Sequence, residues 1–240
     1  MRRTVFIAFI AALLAAAPIG AADAPNTLTD KEKAEGWKLL FDGATTAGWH
    51  GYNQKGMPEG WAVKDGALTR VGKTTDIVTD EEFANFELQF DWKLAKNGNS
   101  GVFFHVVESP KYEAAYYTGP EFQLLDNEGH PDGKNGPDRW AGGNYALHAP
   151  AQNTAHAPGE WNQCRLVVNN GHVEHWMNGV KVVEYELWGD DWKTRVAKSK
   201  FKQWPDYGMA RSGRIALQEH GFEVAFRNIK IKPLPGKGTN

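Results

Sequence analysis

The amino-acid sequence predicts an all-β domain built as an antiparallel two-sheet sandwich. Short segments that alternate apolar and polar residues recur along the chain, Asn178-Gly179 separates two of them, and long loops rich in Gly, Asp and Pro connect others. Alternation places successive side chains on opposite faces of a strand, and Asn-Gly is the strongest short signal for a hairpin turn. Many short strands joined by such loops are typical of a sandwich.

The segment 86–94 is the clearest predicted strand. Five apolar side chains share one face and four polar side chains share the other: Phe86, Leu88, Phe90, Trp92 and Leu94 against Glu87, Gln89, Asp91 and Lys93. One dry face and one polar face indicate an antiparallel sheet. The further predicted strands are Ser100–Val107, Phe122–Leu125, His172–Met177, Val180–Glu186, Ile215–Glu219 and Val224–Ile231, with shorter candidates at Trp37–Phe41, Trp61–Lys64, Ala67–Arg70 and Asp76–Val78.

One helix and two long loops complete the predicted elements. The helix is expected at Asp190–Lys198, after the break at Gly189. The loops cover Ser109–Pro120 and Asn127–Asn144, and long irregular loops in a small domain are usually functional or disordered. We expect them to lie over one face of the sandwich.

The N-terminal residues predict export. Arg2 and Arg3 precede an uncharged apolar segment at 5–17, and small residues provide a cleavage site before Asp23. This order is that of a secretory signal peptide over residues 1–22, and its apolar segment is too short to span a bilayer. We therefore expect a secreted or periplasmic protein without a membrane anchor after cleavage. A loosely held segment at 23–35, a single domain at 36–233 and a frayed tail at 234–240 are expected to follow.

Charge and cysteine content exclude some function classes. The net charge is −2 for the whole chain, and basic residues do not cluster, so nucleic acid is not an expected partner. Cys164 is the only cysteine, which rules out an intrachain disulfide. It lies in an apolar run, where a buried, inert thiol is expected.

The aromatic content is high for one domain, with ten Trp residues. Exposed aromatic rings in exported proteins stack on the apolar face of sugars, whereas buried ones build sandwich cores. We therefore expect a carbohydrate ligand, while many of these rings are expected to be core.

Polar residues on four predicted strands would form one surface if these strands were neighbours in one sheet. The surface would carry Asp91, Lys93, His105, Glu121, Gln123, Gln218 and His220. Such a set can bind sugar hydroxyls through its amides and lysine, and its carboxylates can act as general acid and base. It can also hold a divalent metal through His105, Glu121 and His220. A solvated sheet face without function would show the same alternation.

The long loop after Leu125 supplies a second group of candidates. Asp126, His130 and Tyr145 are expected at the rim of the site and in contact with substrate, although Asp also favours turns. Known nucleotide-binding and Ser-hydrolase motifs are absent, and so is the pair of Glu residues at i, i+4 on one strand that marks retaining glucanases.

Several blocks, in their order along the chain, resemble the 3-keto-disaccharide hydrolase domain family. The blocks are Trp37–Gly43, Asn99–Phe104, Gly119–Asp126, Gly159–Asn162, His175–Gly179, Ile215–Gly221 and Phe226–Ile229. The resemblance extends over about residues 36–233. It implies a concanavalin A-like jelly-roll sandwich and substrates that are glycosides already oxidised to a ketone at sugar carbon 3.

The resemblance also implies a reaction. The ketone acidifies the hydrogen on carbon 2, so a base can remove it and the group on carbon 1 can leave by elimination. Such chemistry needs a base, an electrophile for the enolate oxygen and an acid for the leaving group. The candidates are His105 or Glu121 as base, Lys93 or a metal as electrophile, and His220 or His130 as acid. The alternative is a carbohydrate-binding module or lectin, because the fold serves both.

Overall fold

The computed structural model describes residues 24–236. The predicted signal peptide at 1–22, Asp23 and the end of the predicted tail at 237–240 lie outside the described residues. The strands β1 to β13 are, in chain order, Lys38–Leu39, Trp49–Gly51, Trp61–Lys64, Ala67–Arg70, Ile77–Thr79, Phe86–Leu94, Asn99–Val106, Glu121–Leu125, Asn162–Asn169, His172–Met177, Val180–Glu186, Arg214–Leu217 and Val224–Pro233. The helices are α1 at Asp30–Ala34 and α2 at Asp190–Lys198, with 3₁₀ turns at Ala115–Tyr117, Pro131–Asn135, Pro137–Arg139 and Lys200–Gln203.

The strands form two antiparallel sheets, which confirms the predicted sandwich. The larger sheet has the order β11-β10-β9-β6-β13-β4-β3, with β1 pairing to β13. The smaller sheet has the order β2-β5-β12-β7-β8. Between the sheets, the Phe90 ring meets the Phe122 ring edge-on, with centroids 5.5 Å apart. The His175 ring stacks on the Phe122 ring, with centroids 4.5 Å apart. Burial of these apolar faces drives the association of the two sheets.

Most strand boundaries agree with the predicted ones, and the exceptions have physical reasons. The predicted helix and the strands at 61–64, 67–70, 86–94, 172–177 and 180–186 agree with the structure. Two strands, β2 and β9, are absent from the predicted set. β2 is only three residues long, whereas β9 follows the turn signal Pro158-Gly159 and contains buried Cys164, so the sequence did carry a signal for it.

The prediction that Asp91 and Lys93 share a face with the other candidates is wrong, because β6 belongs to the larger sheet. Asp91 is buried there and accepts hydrogen bonds from Arg227 Nε at 3.1 Å and Asn228 Nδ2 at 2.7 Å. The Lys93 ammonium lies 4.9 Å from the centroid of the Trp161 ring. Alternation shows on which face of a strand a side chain lies, but it does not show to which sheet the strand belongs.

The segment before the first strand contacts β13 through side-chain hydrogen bonds and an ion pair. Thr29 and Glu32 form a capping box at the start of α1, and Glu32 pairs with Lys230 of β13. Asn26 is buried and exchanges two backbone-to-side-chain hydrogen bonds with Asn228, at 2.7 and 2.8 Å. The sequence signal was the Thr-x-x-Glu capping box.

The outer face of the smaller sheet is apolar and is covered by loops. Phe103, Val106 and Ala216 are buried on this face and pack with Ala115 from the loop between β7 and β8. The segment after α2 joins this loop through a hydrogen bond from Gly208 N to Thr118 O at 2.8 Å. Within the described chain, no helix is long and apolar enough to cross a membrane.

Replacement of Asn228 tests the anchor of the N-terminal segment. Asn228 has φ +52 inside an irregularity of the β13 pairing and joins Asn26 to Asp91. We expect Asn228→Ala to lower the free energy of unfolding by about 2 kcal/mol, because it removes two partly buried hydrogen bonds and places Ala in a strained backbone conformation. Urea unfolding measures the change. Asn135→Ala, at an exposed site, is the control, and an equal loss in both variants would contradict the account.

Candidate functional site

A polar cleft of about 260 Å³ lies on the outer face of the smaller sheet. Strands β7, β8 and β12 supply its floor, and the covering loops supply its walls. The floor residues are Asn99, Glu121, Gln123 and Gln218, and the walls are Tyr116, Tyr145, Lys200, Phe201, Trp204 and His220. The cleft therefore forms where the loops leave part of the sheet uncovered.

Glu121 lies at the floor of the cleft and is only 5% exposed. Its side chain lies flat over the neighbouring strand at Gly101, where a Cβ atom would come within 2.2 Å of the Glu121 Oε1 atom. Gly101 is therefore the residue that makes room for the carboxyl group. Within residues 24–236, no group forms a hydrogen bond or an ion pair with this carboxyl group. Burial raises the pKa of Glu121 to about 8, and the nearby carboxylates of Asp76 and Asp132 add to the rise.

Among positively charged residues, Lys200 has the largest electrostatic effect on this carboxyl group. Its charge opposes the rise in the pKa of Glu121, and burial lowers the pKa of Lys200 itself. The Lys200 ammonium lies 4.4 Å from the centroid of the Tyr145 ring, with Arg139 over the same ring at 4.9 Å. The Tyr145 hydroxyl donates to Asp132 Oδ2 at 2.8 Å, which holds the ring in place.

The same strand positions Tyr145 and Glu121. β8 is at the edge of its sheet, and the chain after the long loop returns alongside it. Tyr145 N donates to Glu121 O at 3.1 Å, and Gly142 N donates to Gln123 O at 2.8 Å. This short ladder fixes the wall of the cleft relative to its floor.

A second carboxylate, Asp76, lies in an adjoining cavity. That cavity shares Tyr116, Gln218 and His220 with the cleft. Desolvation raises the pKa of Asp76 to about 7, although its Oδ1 accepts a hydrogen bond from Glu219 N at 2.8 Å. Two carboxyl groups with raised pKa values thus flank one wall of side chains.

His220 and His130 meet at the exposed end of the cleft. Their ring centroids are 6.1 Å apart, and His130 Nδ1 accepts a hydrogen bond from Asp132 N at 3.1 Å. Burial lowers the pKa of His130, and the neighbouring His220 lowers it further, against Asp132 and Asp126. His220 is exposed and lines the cleft directly, so it has access to a bound ligand and to solvent.

The structure brings together five of the predicted site residues. Glu121, Gln123, Gln218, His220 and Tyr145 line the cleft, and His130 stands at its rim. Whether each acts on substrate stays a prediction.

The prediction that His105 belongs to the site is wrong, because His105 lies outside the cleft. It is buried, its Nε2–H donates to Ala84 O at 2.8 Å, and it packs against Phe86 and Phe104. The reason is a β-bulge: two β7 residues oppose one β12 residue between Phe103 and Val106, and His105 has φ +53. A bulge shifts the alternation of faces by one residue.

The proposed metal ligand set does not fit the structure, because His105 does not converge with Glu121 and His220. Among described residues, one other group, His172, Glu174 and Glu184, has donor atoms close enough to share an ion. Its carboxylates already pair with Lys181.

Asp126 also differs from its predicted role in substrate binding. Its Oδ2 accepts from Asn97 N at 2.8 Å and its Oδ1 from Gly129 N at 3.0 Å. It lines a separate cavity with Trp92 and His156. This arrangement is the turn chemistry that Asp favours.

Sequence reasoning missed two charged residues of the site. Asp76 begins a short predicted strand. Only its hydrogen bond from Glu219 N and its place in the adjoining cavity show that it lies beside the cleft. Lys200 follows α2 in a lysine-rich stretch that carries no periodic signal. Both were detectable only after the covering loops were placed.

The sequence profile described as the 3-keto-alpha-glucoside-1,2-lyase-like domain matches residues 36–232. The chain belongs to this family. It is 35% identical over 230 residues to the 3-keto-disaccharide hydrolase of Bacteroides thetaiotaomicron, a similarity that covers 84% of this chain and 79% of that one.

Solved structures show the same architecture. A protein of Parabacteroides distasonis described as a candidate glycosyl hydrolase is 41% identical, with a TM-score of 0.83 over 88% of this chain and 100% of its own. A second one from that organism is 27% identical, with a TM-score of 0.61 over 78% and 99%. A galectin-like protein of Bacillus subtilis, 14% identical with a TM-score of 0.50 over 91% and 98%, is similar in fold alone.

The raised pKa of Glu121 has a measurable effect on stability. Glu121 has a pKa of about 8 in the folded protein, whereas its ordinary value in an unfolded chain is 4.5. This group therefore lowers stability as pH rises between the two values. We expect Glu121→Gln to stabilise the protein by about 3 kcal/mol more at pH 9 than at pH 5. Urea unfolding at both pH values measures the difference. Glu128→Gln, at an exposed carboxylate, controls for lost charge, and an equal change at both pH values for Glu121→Gln would contradict the buried carboxyl.

Proposed function

We propose that this protein cleaves the glycosidic bond of 3-keto-glycosides, 3-keto-disaccharides among them, by removing the proton on sugar carbon 2 and eliminating the group on carbon 1. The observation that carries the proposal is the Glu121 carboxyl group, which is buried without a hydrogen-bond partner in the described chain and faces a cleft with a nearby cation. The family and the name of the Bacteroides relative support the substrate class.

Glu121 acts as the base in this proposal. A base works best when its pKa is near the operating pH, and burial brings the pKa of Glu121 to about 8. A carboxylate that has lost its hydration is also a stronger base than one in water. A carbohydrate-binding module gains nothing from such a group, because a buried carboxyl without a partner lowers stability.

Lys200 takes the role that the sequence first assigned to Lys93. When the carbon 2 proton leaves, negative charge develops on the carbon 3 oxygen. An ammonium that lines the same cleft as the base can stabilise that charge, although Lys200 is itself exposed to solvent. Lys200 is held over the Tyr145 ring and is therefore positioned before substrate binds.

His220 completes the proposed set as the acid. It can donate a proton to the glycosidic oxygen while the enolate electrons form the carbon 1–carbon 2 double bond and the bond from carbon 1 to oxygen breaks. Addition of water across that double bond then gives the 3-keto sugar, so the net reaction is a hydrolysis. His130, beside His220 at the rim, can exchange the proton with solvent.

Export is part of the same proposal. The predicted signal peptide would deliver the protein to the periplasm or the medium, where oxidised glycosides and their products meet it. Cell fractionation with an antibody to the mature chain tests this step, and a full-length protein retained in the cytoplasm would contradict it.

Turnover of a chromogenic 3-keto-glucoside tests the reaction. We expect release of the aglycone by the native protein and a loss of about 10³-fold in kcat for Glu121→Gln. His220→Gln is expected to lose about 10²-fold, with the exposed His156→Gln as its control. The native protein should not cleave the corresponding glucoside that lacks the ketone. Absence of release above background, with or without added divalent metal, would contradict the proposal.

The pH profile tests the role of Glu121 separately. The reactive form is the carboxylate, so kcat/KM should rise with pH through about 8 in the free protein. The charge of Lys200 opposes the rise in the pKa of Glu121. Lys200→Met removes that charge, so the rising limb of kcat/KM should shift to higher pH. The profile of residual activity is measured by initial rates from pH 5 to 10. A limb that stays in place in Lys200→Met would show that another group is the base.

A further inference from the structure

A second cavity lies on the other side of Trp204 from the polar cleft. It has a volume of about 310 Å³, and its walls are mainly apolar, with four aromatic side chains among them. Trp188, Trp192 and Tyr207 line it, together with Met209, Lys202 and Trp204 itself. Trp204 also lines the cleft that holds Glu121, so its indole side chain is a wall that the two spaces share.

The wall residues of this cavity, called the groove below, contact one another through a hydrogen bond and stacked rings. The Trp188 Nε1–H donates to Gly208 O at 2.7 Å, and the Arg211 guanidinium lies 3.6 Å from the centroid of its ring. Trp192 and Tyr207 stack nearly parallel with centroids 5.9 Å apart, and Tyr207 continues onto Phe201 of the cleft at 3.9 Å. A stack of rings thus runs from the groove to the cleft.

Met209 is exposed on this groove. Its exposed fraction is 57%, and in the described chain only Val71 and Tyr116 are other large apolar residues with comparable exposure. Tyr116 belongs to the cleft and lies 5.1 Å from the Trp204 ring. Two of the three exposed large apolar side chains therefore flank the indole that joins the cavities. Both side chains offer apolar surface to a ligand beside Trp204.

The charges at the groove have one sign. Lys193 and Lys202 line it, and no acidic side chain does so within residues 24–236. Lys193 pairs with Asp190 at 3.6 Å, whereas Lys202 has no ion-pair partner in the described chain. Flat aromatic walls beside a free ammonium complement an aromatic ring that carries an anionic group.

We propose that the groove is the leaving-group subsite, and that it takes an aromatic aglycone bearing a carboxylate. This inference rests on the proposed function: with the oxidised sugar over Glu121, the group on carbon 1 passes Trp204 and its ring enters the space beside Met209. Lys202 then meets the carboxylate. The preferred substrates are accordingly 3-keto-glycosides of hydroxylated aromatic acids.

Binding of the released aglycone alone tests the subsite without catalysis. Titration of the full mature chain with 4-hydroxybenzoate, followed by tryptophan fluorescence, should give saturable quenching. We expect Met209→Ser and Lys202→Gln each to weaken this binding by about 5-fold or more, through lost apolar contact and lost charge pairing. Val71→Ser and Lys96→Gln replace exposed residues elsewhere and should leave binding unchanged. Equal binding by all variants, or none by the native protein, would overturn the subsite.

Turnover separates this inference from the proposed function. With 4-carboxyphenyl 3-keto-glucoside, Lys202→Gln should lose about 5-fold or more in kcat/KM, whereas with methyl 3-keto-glucoside it should match the native protein. An equal rate for both proteins on both substrates would overturn the subsite while leaving the proposed function standing. Absence of turnover with either substrate, together with intact binding of 4-hydroxybenzoate, would contradict the proposed function and remove the assignment of the groove to a leaving group.

Discussion

The apolar outer face of the five-stranded sheet is the constraint on which the site depends. A sheet in a sandwich normally exposes polar residues on its outer face, but here Phe103, Val106 and Ala216 would be left in water. The loop between β7 and β8 and the segment after α2 cover them, because burial of that surface favours a closed arrangement. The cover also removes water from part of the strand floor, and the cleft is the remaining opening.

Desolvation of Glu121 follows from this cover and connects stability with chemistry. Gly101 lets the carboxyl group lie against the sheet, and the walls exclude the water that would otherwise lower its pKa. Such a group weakens the folded state at high pH and, in the proposed reaction, serves as the base for a carbon acid. Functional sites often hold groups that a purely structural optimum would remove. Lys200 limits the penalty, since its charge opposes the rise in the pKa of Glu121.

The sequence was sufficient for the fold and for part of the site. Alternation located strands such as 86–94, because a strand with one buried face imposes a period of two. It also placed Glu121 and Gln123 on one face, where the structure has them. It could not assign β6 to the other sheet, since pairing between distant strands leaves no local trace. It failed for His105 because a β-bulge changes the phase of alternation, and it missed Lys200 because loop residues have no period.

Hydrogen exchange at sugar carbon 2 tests the central claim most directly. A 3-keto sugar without a leaving group on carbon 1 can be deprotonated but cannot eliminate, so exchange in deuterated water reports the base alone. Proton NMR should show that the native protein accelerates loss of the carbon 2 hydrogen, that the carbon 4 hydrogen next to the same ketone stays, and that Glu121→Gln abolishes the acceleration. Exchange by Glu121→Gln at the native rate, or equal exchange at carbons 2 and 4, would contradict the account.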